Sequence, residues 1–573
     1  MIVVHNAEIA DCLDQLADLL EIGNENPFRV RAYRNAARTV RQHPQSFAQL
    51  VAEQVDLTRL PGIGESLAAK IATIVDTGKL PALEKAKRHT PIALSTLLKI
   101  RGLGPKKVRA LYRQLNIRSI ADLKRAAQAG RIRELKGFGA RTEASILAEV
   151  GAREQAKRRI SRLEASDIAQ ELTACLRGIK GVKQVTVAGS YRRCVETVGD
   201  IDLLISSSRG SAVIDRFVKY GEVAEIISQG NTRSTVRLRS GIQVDVRVVP
   251  EVSYGAALYY FTGSKAHNIA LRSLAQRKGL KINEYGVFNG DVRIAGRTEK
   301  EVLKSIGLPF IEPEMRENRG EIEAAIKGKL PRLIEPDNIL GDFHCHTRAS
   351  DGQNSIQEMA AAAAQLNYRY LAITDHSQHV RIAHGLSPER LAAQLDEIDK
   401  INEQLDDLVI LKSCEVDILE DGSLDIPAPL LKRLDFTVCA IHYQFGLARK
   451  KQTQRILKAM DNRYFNVLAH PSGRLINERP PYDFDLEQVI RAAAKQGCFL
   501  ELNAHPQRLD LNDEACMLAK EHGVKIAIGT DAHSAATLDY MRFGISQARR
   551  GWLGPEDVLN TQSLKQLQAS FAR

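Results

Sequence analysis

Asp200 and Asp202 stand one residue apart in VGDIDLLI, and a strand through that segment turns both carboxylates to one face. Two acids so placed want a cation. A third, Asp245, sits among apolar residues in QVDVRVV, the returning half of what reads as a hairpin turning at Ser240-Gly241. Three carboxylates on neighbouring strands can hold two Mg²⁺ or Mn²⁺ ions about 4 Å apart, one activating an attacking oxygen and one steadying a leaving phosphate. A turn at Gly189-Ser190 offers backbone N–H groups to phosphates, and Arg193 adds a fixed cationic fork. A lone buried Asp is usually a paired structural group; three in this arrangement favour chemistry.

A second set of chemical residues is rich in histidine. Ten of the fourteen histidines lie in the last 232 residues, several at the ends of apolar runs. These runs are DFHCHTRASDG, LAITDHS, VCAIHYQ, VLAHPSG and IAIGTDAHS. Polar residues that end strands separated by helical stretches are what an α/β barrel gathers at its C-terminal rim. In HCH both imidazoles on one strand can face the same ion, and Zn²⁺ or Mn²⁺ accepts mixed imidazole and carboxylate ligands. Any single histidine here is more often a satisfied polar residue than a ligand, so the ordered set carries the reading.

The elements before these sites repeat. LPGIG, IRGLG and LKGFG recur at intervals of about 35 to 40 residues, each followed by a helix-forming stretch. In each, two glycines flank an apolar residue at a helix N-terminus: Gly62 and Gly64, Gly102 and Gly104, Gly137 and Gly139. Missing Cβ atoms let the backbone approach a phosphate, toward which free helix-terminal N–H groups point. Lys106, Lys107 and Arg141 follow, and residues 51–200 hold 29 basic against 15 acidic residues. That excess is the footprint of a polyanion. Residues 1–341 carry a net +17 and the remainder −5, within an overall +12.

A chain of 573 residues is too long for one core. Hydrophobic content of 44% and charged content of 26% exclude a disordered or fibrous chain. No apolar run approaches a membrane span, the N-terminal residues do not resemble a secretory signal, and the eight cysteines lack a CxxC spacing. A cytoplasmic protein with reduced thiols is expected, and the layout requires no partner chain, so a monomer.

The Gly-Ser and Asp-x-Asp pattern resembles the nucleotidyltransferase superfamily. GSYRRCVETVGDIDLL, YFTGSKAHN and LKINEYGVF, in that order, resemble X-family DNA polymerases such as DNA polymerase beta, with NPFRVRAYRNAA and LPGIGESLAAKIATIVDTGKLPALEK like its lyase domain. The glycine turns resemble helix-hairpin-helix motifs, which bind the DNA backbone with a monovalent cation at the turn carbonyls. The resemblance implies that Asp200, Asp202 and Asp245 bind two metals, Asp245 helping to deprotonate the primer hydroxyl. Ser190, Arg193 and Gly199 would meet the incoming triphosphate; Tyr260 and Phe261 would exclude ribonucleotides, and Gly263 would be a further nucleotide contact. Asn268 would contact the base and Arg272 the template side.

Lys70 matches the lysine that forms a Schiff base with an abasic sugar, which needs a neutral amine. Arg29 and Tyr33 match parts of a 5′-phosphate pocket. Departures are Gln243 for an arginine, Cys194 for a glycine, Val198 for a serine, Lys265 for an aspartate, and Phe28 and Ser66 for a histidine and a lysine.

The histidine-rich segment resembles the PHP (polymerase and histidinol phosphatase) domain. The implied ligands of up to three Mn²⁺ or Zn²⁺ ions are His344, His346, Asp351, His376, Glu415, His442, His470, Asp531 and His533. Asp351 stands where some members have histidine, a bias toward the harder Mn²⁺. His379, His384 and His505 are candidates for supporting roles.

The expected fold is multidomain: an α-helical helix-hairpin-helix N-terminal region, an α+β nucleotidyltransferase palm and thumb, and a C-terminal α/β PHP barrel of distorted TIM-like form. The expected divisions are a helical lyase-like domain at 1–88, a fingers-like region at 89–155, palm at 156–252, thumb at 253–318, linker at 319–341 and PHP domain at 342–573. The expected function is gap-filling synthesis from dNTPs on gapped or primer-template DNA in repair, with a 3′–5′ exonuclease or 3′-end phosphoesterase and an abasic-site lyase. Rival readings are a polymerase with a structural PHP domain, a DNA-binding scaffold without chemistry, and a transferase acting on RNA or a small molecule.

Overall fold

Three glycine turns organise the N-terminal helices. The computed structural model of the chain describes residues 6–43, 46–89, 91, 93–98, 100, 103–155 and 159–572. The apolar residue between each pair of glycines is buried, namely Ile63, Leu103 and Phe138. Its amide donates three residues back, to the carbonyls of Leu60, Ile100 and Leu135 at 3.1, 3.0 and 3.0 Å. Helices Glu65–Thr77, Pro105–Leu115 and Ala140–Gln155 then begin. No side chain caps the first two, so their first-turn amides stay open to a ligand. Gly62 and Gly137 hold the left-handed φ values of +72° and +89° that favour glycine. Gly102 lies outside the described residues.

The chain divides into two compact units. One comprises Met1–Ile160, Asp215–Gln229 and Thr235–Val244, the other Ser161–Ile214, Gly230–Ser234 and Asp245–Arg573. The first contains the helices and a hairpin turn in which Leu238 N–H bonds to Ile242 O at 2.9 Å and Gly241 has φ +87°.

In the second unit the strand Asp200–Ser207 pairs antiparallel with Val182–Val187, Leu203 opposite Val187 and Ile205 opposite Val185. Its other neighbour is the strand Gln243–Val249, which enters this unit at Asp245. Alternation along both strands buries Ile201, Leu203, Val244, Val246 and Val248 on one face. The acids are left on the other. Helices Tyr254–Thr262 and Lys265–Arg277 follow, then a three-stranded antiparallel sheet of Leu280–Asn283, Gly286–Asn289 and Val292–Ala295. Residues 319–341 are not a loose tether: they form the helix Glu321–Ile326, and buried Ile334 donates its amide to Leu553 O at 3.0 Å.

The C-terminal region is a ring of parallel strands. In order they are Gly341–Cys345, Tyr370–Ile373, Val409–Lys412 continued by Glu415–Asp417, Val438–Ala440, Val467–Leu468, Phe499–Asn503 and Ile526–Gly529. A parallel bridge between Cys345 and Ala532 closes the ring, with His346 N–H on Ala532 O and Asp531 N–H on His344 O, both at 2.8 Å. Connecting helices cover the outside, and strand residues such as Leu371, Ile410, Leu468 and Ile528 form the core beneath them. This is the distorted α/β barrel, with all chemistry-bearing strand ends on one rim. Among the described residues no helix is long and apolar enough to cross a membrane.

Candidate metal centres

Asp202 shows what the strand alternation does to an acid. Burial, reinforced by the charges of Asp200 and Asp245, pushes its carboxyl up to about 7. The three acids therefore share one electrostatic field, which the nearby Arg193 and Arg247 offset only in part. The chemistry of the donor set, three oxygen acids without a thiol or imidazole, fits hard divalent ions.

Gly189-Ser190 is not a bare turn between strands, as the sequence suggested, but the start of a short helix, Gly189–Arg192. The chain folds there because the Ala188 amide donates to Asp202 O at 2.7 Å. Gly189 has φ +61°, and a Cβ on it would stand 2.1 Å from Asp202 Oδ2. Glycine is thus demanded by the acid beside it.

Arg193 donates from Nη1 to Thr262 O at 2.7 Å and from Nε to Glu317 at 3.0 Å. Gly263 is buried beside it; an added Cβ would lie 3.2 Å from Arg193 Nη1. Gly199 precedes the first acid, partly exposed like Ser190. Tyr260 and Phe261 meet edge to face at 5.2 Å between centroids. Asn268 donates to Tyr260 O at 2.7 Å, and Arg272 is exposed.

Arg247 was missed. It shares the face of Asp245 on the same strand, places its guanidinium 4.7 Å above the Phe261 ring, and counters the upward shift of Asp202. The alternation of QVDVRVV carries that signal. Of the departures, Cys194 takes a left-handed φ of +60°, Val198 is buried and Lys265 is exposed.

In the helical unit Lys70 is partly exposed and donates to Ser66 Oγ at 2.6 Å and Ser66 O at 3.0 Å. Arg29 is exposed, 3.7 Å from Glu25. Tyr33, expected in a phosphate pocket, is instead 5% exposed in the core with Val30, Ala37 and Ile63. An aromatic at that helical spacing completes the packed face. Lys106 is exposed, and Lys107 stands 5.4 Å over the Phe138 ring. At Gly64, Gly104, Gly137 and Gly139 an added Cβ would meet nothing within 4 Å.

All nine histidine-site positions converge at the barrel rim. Three clusters form: His346, Asp351, His376 and His533; His344, His346 and Asp531; His376, Glu415 and His442, with ligand atoms in each within 4.8 Å of one another. His470 Nε2 joins the last through Glu415 Oε1 at 2.8 Å. Nε2 of His344 and Nε2 of His346 stand 3.1 Å apart. His376 Nδ1 lies 2.8 Å from Glu415 Oε2, and both atoms, like His346 Nδ1, are buried without a hydrogen bond. Buried lone pairs aimed at one another fit metal ions between them.

Electrostatics agree with that fit. Burial opposes ionisation, yet facing imidazoles hold Glu415 and Asp531 well below the usual carboxylate range and lower Asp351 as well. Burial likewise opposes protonation of His344, His442 and His533, but the carboxylates win and raise all three, the last two to about 9. His346 goes the other way, to about 4, through burial and the neighbouring His533 and His376.

Further groups that the sequence reading did not single out hold the imidazoles. Glu501 accepts from His344 Nδ1 at 2.6 Å and from the His470 amide at 2.6 Å. Asp417 lies 3.1 Å from His442 Nδ1, and Asn503 donates to Asp531 at 3.1 Å. Their signal was present as FLELN and EVD, where polar residues alternate at strand ends. His379 meets Tyr443 at a tilt with centroids 4.4 Å apart, His505 packs edge to face on Tyr540, and His384 adopts φ +56°.

Family models match five stretches: helix-hairpin-helix domain at 4–80, SAM-like helix-hairpin-helix tandem at 94–152, DNA polymerase beta palm at 159–234, DNA polymerase beta thumb at 257–317 and PHP domain at 342–505. The chain is 38% identical to the DNA polymerase/3′–5′ exonuclease PolX of Bacillus subtilis (strain 168) over 575 residues, covering 100% of both chains. It is 29% identical to a probable phosphatase of Thermoanaerobacter sp. (strain X514) over 234 residues, 39% of this chain and 91% of that one. It is 26% identical to DNA polymerase lambda of Rattus norvegicus over 343 residues, 55% of this chain and 56% of that one. With beta-type palm and thumb, helix-hairpin-helix repeats and a PHP domain in one polypeptide, the chain belongs to the PolX group of X-family DNA polymerases.

Proposed function

We propose that this polymerase fills short gaps in DNA repair and that its PHP domain removes nucleotides from 3′ ends. The observation that carries the double reading is the convergence of nine imidazoles and carboxylates at the barrel rim beside an intact acid trio in the palm. In the palm, Asp200, Asp202 and Asp245 hold two Mg²⁺ or Mn²⁺ ions. Ser190, Gly199 and Arg193 bind the triphosphate of a dNTP, with Arg193 exchanging its bond to Glu317 for phosphate. Tyr260, Phe261 and Gly263 line the sugar side, Asn268 meets the base and Arg272 the template. Asp245 takes up the proton of the primer hydroxyl.

At the rim, His344, His346, Asp351, His376, Glu415, His442, His470, Asp531 and His533 hold up to three Mn²⁺ or Zn²⁺ ions. Such ions, when bound, supply an activated water and stabilise charge on a phosphodiester. Glu501 and Asp417 fix the tautomers of His344 and His442. The helix-hairpin-helix turns grip the DNA backbone through Gly62, Gly64, Gly102, Gly104, Gly137, Gly139 and Lys106, with a monovalent cation at the turn carbonyls. The protein acts as a monomer. Domain limits follow the six divisions given above, with 319–341 as a packed connector.

The test is a gapped-DNA assay with Mg²⁺ and Mn²⁺ compared. Asp200→Ala abolishes extension and leaves 3′ trimming, and His344→Ala does the reverse. Extension that survives Asp200→Ala overturns the palm assignment; trimming that survives His344→Ala makes the PHP domain structural.

A further inference from the structure

The palm loop between Ser190 and Asp200 is held from the PHP domain at two points. Arg550, at the end of the helix Met541–Arg550, donates from Nη1 to the main-chain oxygen of Arg193 at 2.7 Å and to Glu317 Oε1 at 2.9 Å. Its Nη2 bonds to Asp513 at 2.6 Å. Arg474, four residues past His470, forks onto both carboxylate oxygens of Glu196 at 2.7 and 3.3 Å. Between those grips lies Cys194, whose left-handed φ of +60° a non-glycine residue keeps only where its surroundings dictate it.

Glu317 Oε1 is shared, for Arg193 Nε binds the same oxygen at 3.0 Å. Glu317 and Arg550 side chains are 16% and 5% exposed. A carboxylate so enclosed is costly without a cation. The partly buried cluster comprises Arg193, Arg550 and Arg319 against Glu317 and Asp513, Arg319 bonding Asp513 at 3.0 Å. Glu514, the other partner of Arg319, faces water. With Arg193 in place the cluster holds a surplus positive charge. When Arg193 departs, two arginines balance two acids. Without Arg550, Arg193 would be the sole cation on Glu317.

We infer that Arg550 is a positioning residue for nucleotide binding: by neutralising Glu317 it frees Arg193 for the triphosphate, so the PHP domain sets the dNTP affinity of the polymerase site. This rests on Arg193 as a triphosphate ligand. Steady-state extension of gapped DNA by the full-length chain tests both. Arg550→Met raises KM for dNTP about tenfold with kcat within about twofold, and adding Glu317→Gln returns KM toward wild type, a rescue that a merely structural defect does not show. Manganese-dependent 3′ trimming by Arg550→Met stays at the wild-type rate, reporting an intact fold. If Arg550→Met does not fold, Glu317→Gln alone carries the test by lowering KM. An unchanged KM in Arg550→Met, or a raised KM that Glu317→Gln fails to repair, overturns the inference while Arg193→Ala still raises KM. An unchanged KM in Arg193→Ala overturns the reading of Arg193 itself.

Discussion

Glu501 holds His344 by the ring edge opposite the candidate ligand atom Nε2, Oε1 2.6 Å from Nδ1, while its second oxygen accepts the amide of His470 at 2.6 Å. One carboxylate thereby orients an imidazole and a backbone segment on the next strand. Glu501→Gln is expected to lower manganese affinity and 3′ trimming by about 10- to 100-fold, as outer partners of ligating histidines usually do. Primer extension stays unchanged. Calorimetric titration with Mn²⁺ beside the two activity assays checks it, and undiminished manganese binding contradicts it.

His376 belongs to two of the three ligand clusters, His442 to one. His376→Ala therefore strips more bound metal from purified protein than His442→Ala. Elemental analysis per mole of chain decides, and equal losses would show that the clusters do not act as separate sites.

Asp202 titrates near 7 in the metal-free protein, against an ordinary value of 3.8. Its fold binds the proton more tightly than the unfolded chain does, so no penalty exists below about pH 4. Stability falls as pH rises to about 7 and the full penalty remains above. Asp202→Asn should raise metal-free stability at pH 8 by about 2 kcal/mol, since part of the shift is relieved by solvent. At pH 4 it should change little. Thermal melts with a chelator measure this, and a variant equally stabilised at both pH values refutes the cause.

Gly189→Ala places a methyl 2.1 Å from Asp202 Oδ2 on a left-handed backbone. Displacing a metal-site acid by about 1 Å costs on the order of 100-fold in rate. Extension should fall at least that far with trimming retained.

Gly104→Ala behaves oppositely. The new methyl meets nothing within 4 Å, and the φ of −80° suits alanine. Stability should shift by under about 1 kcal/mol, whereas affinity for gapped DNA drops several-fold. Fluorescence anisotropy at fixed salt reads it, and full affinity would mean that the turn does not touch DNA.

Lys70 is partly exposed, with the hydroxyl of Ser66, not a second lysine, one turn away. Schiff-base trapping on an abasic 5′ end should be faster in Ser66→Lys, because a second ammonium beside Lys70 favours a neutral amine. A slower reaction in Ser66→Lys would count against the lyase reading.

The sequence by itself marked the acids and imidazoles proposed for both metal sites, the three glycine turns and the order of domains. Each depends on local periodicity: alternation aligns Asp200 with Asp202, and one apolar anchor between glycines builds each turn. The barrel was legible because its polar residues end apolar runs, as they do at His344, His376 and Asp531.

Only the tertiary structure decided which groups support those sites. Glu501 with His344 is separated by more than 150 positions, and Arg550 with Arg193 by more than 350. Tyr33 looked like a phosphate contact and packs in a core, because burial belongs to the assembled helices rather than to the residue. The sharing of Glu317 between two arginines of different domains likewise has no local signature. Partners brought together by packing across the chain leave no period in the sequence, so spacing can name a ligand but not what holds it.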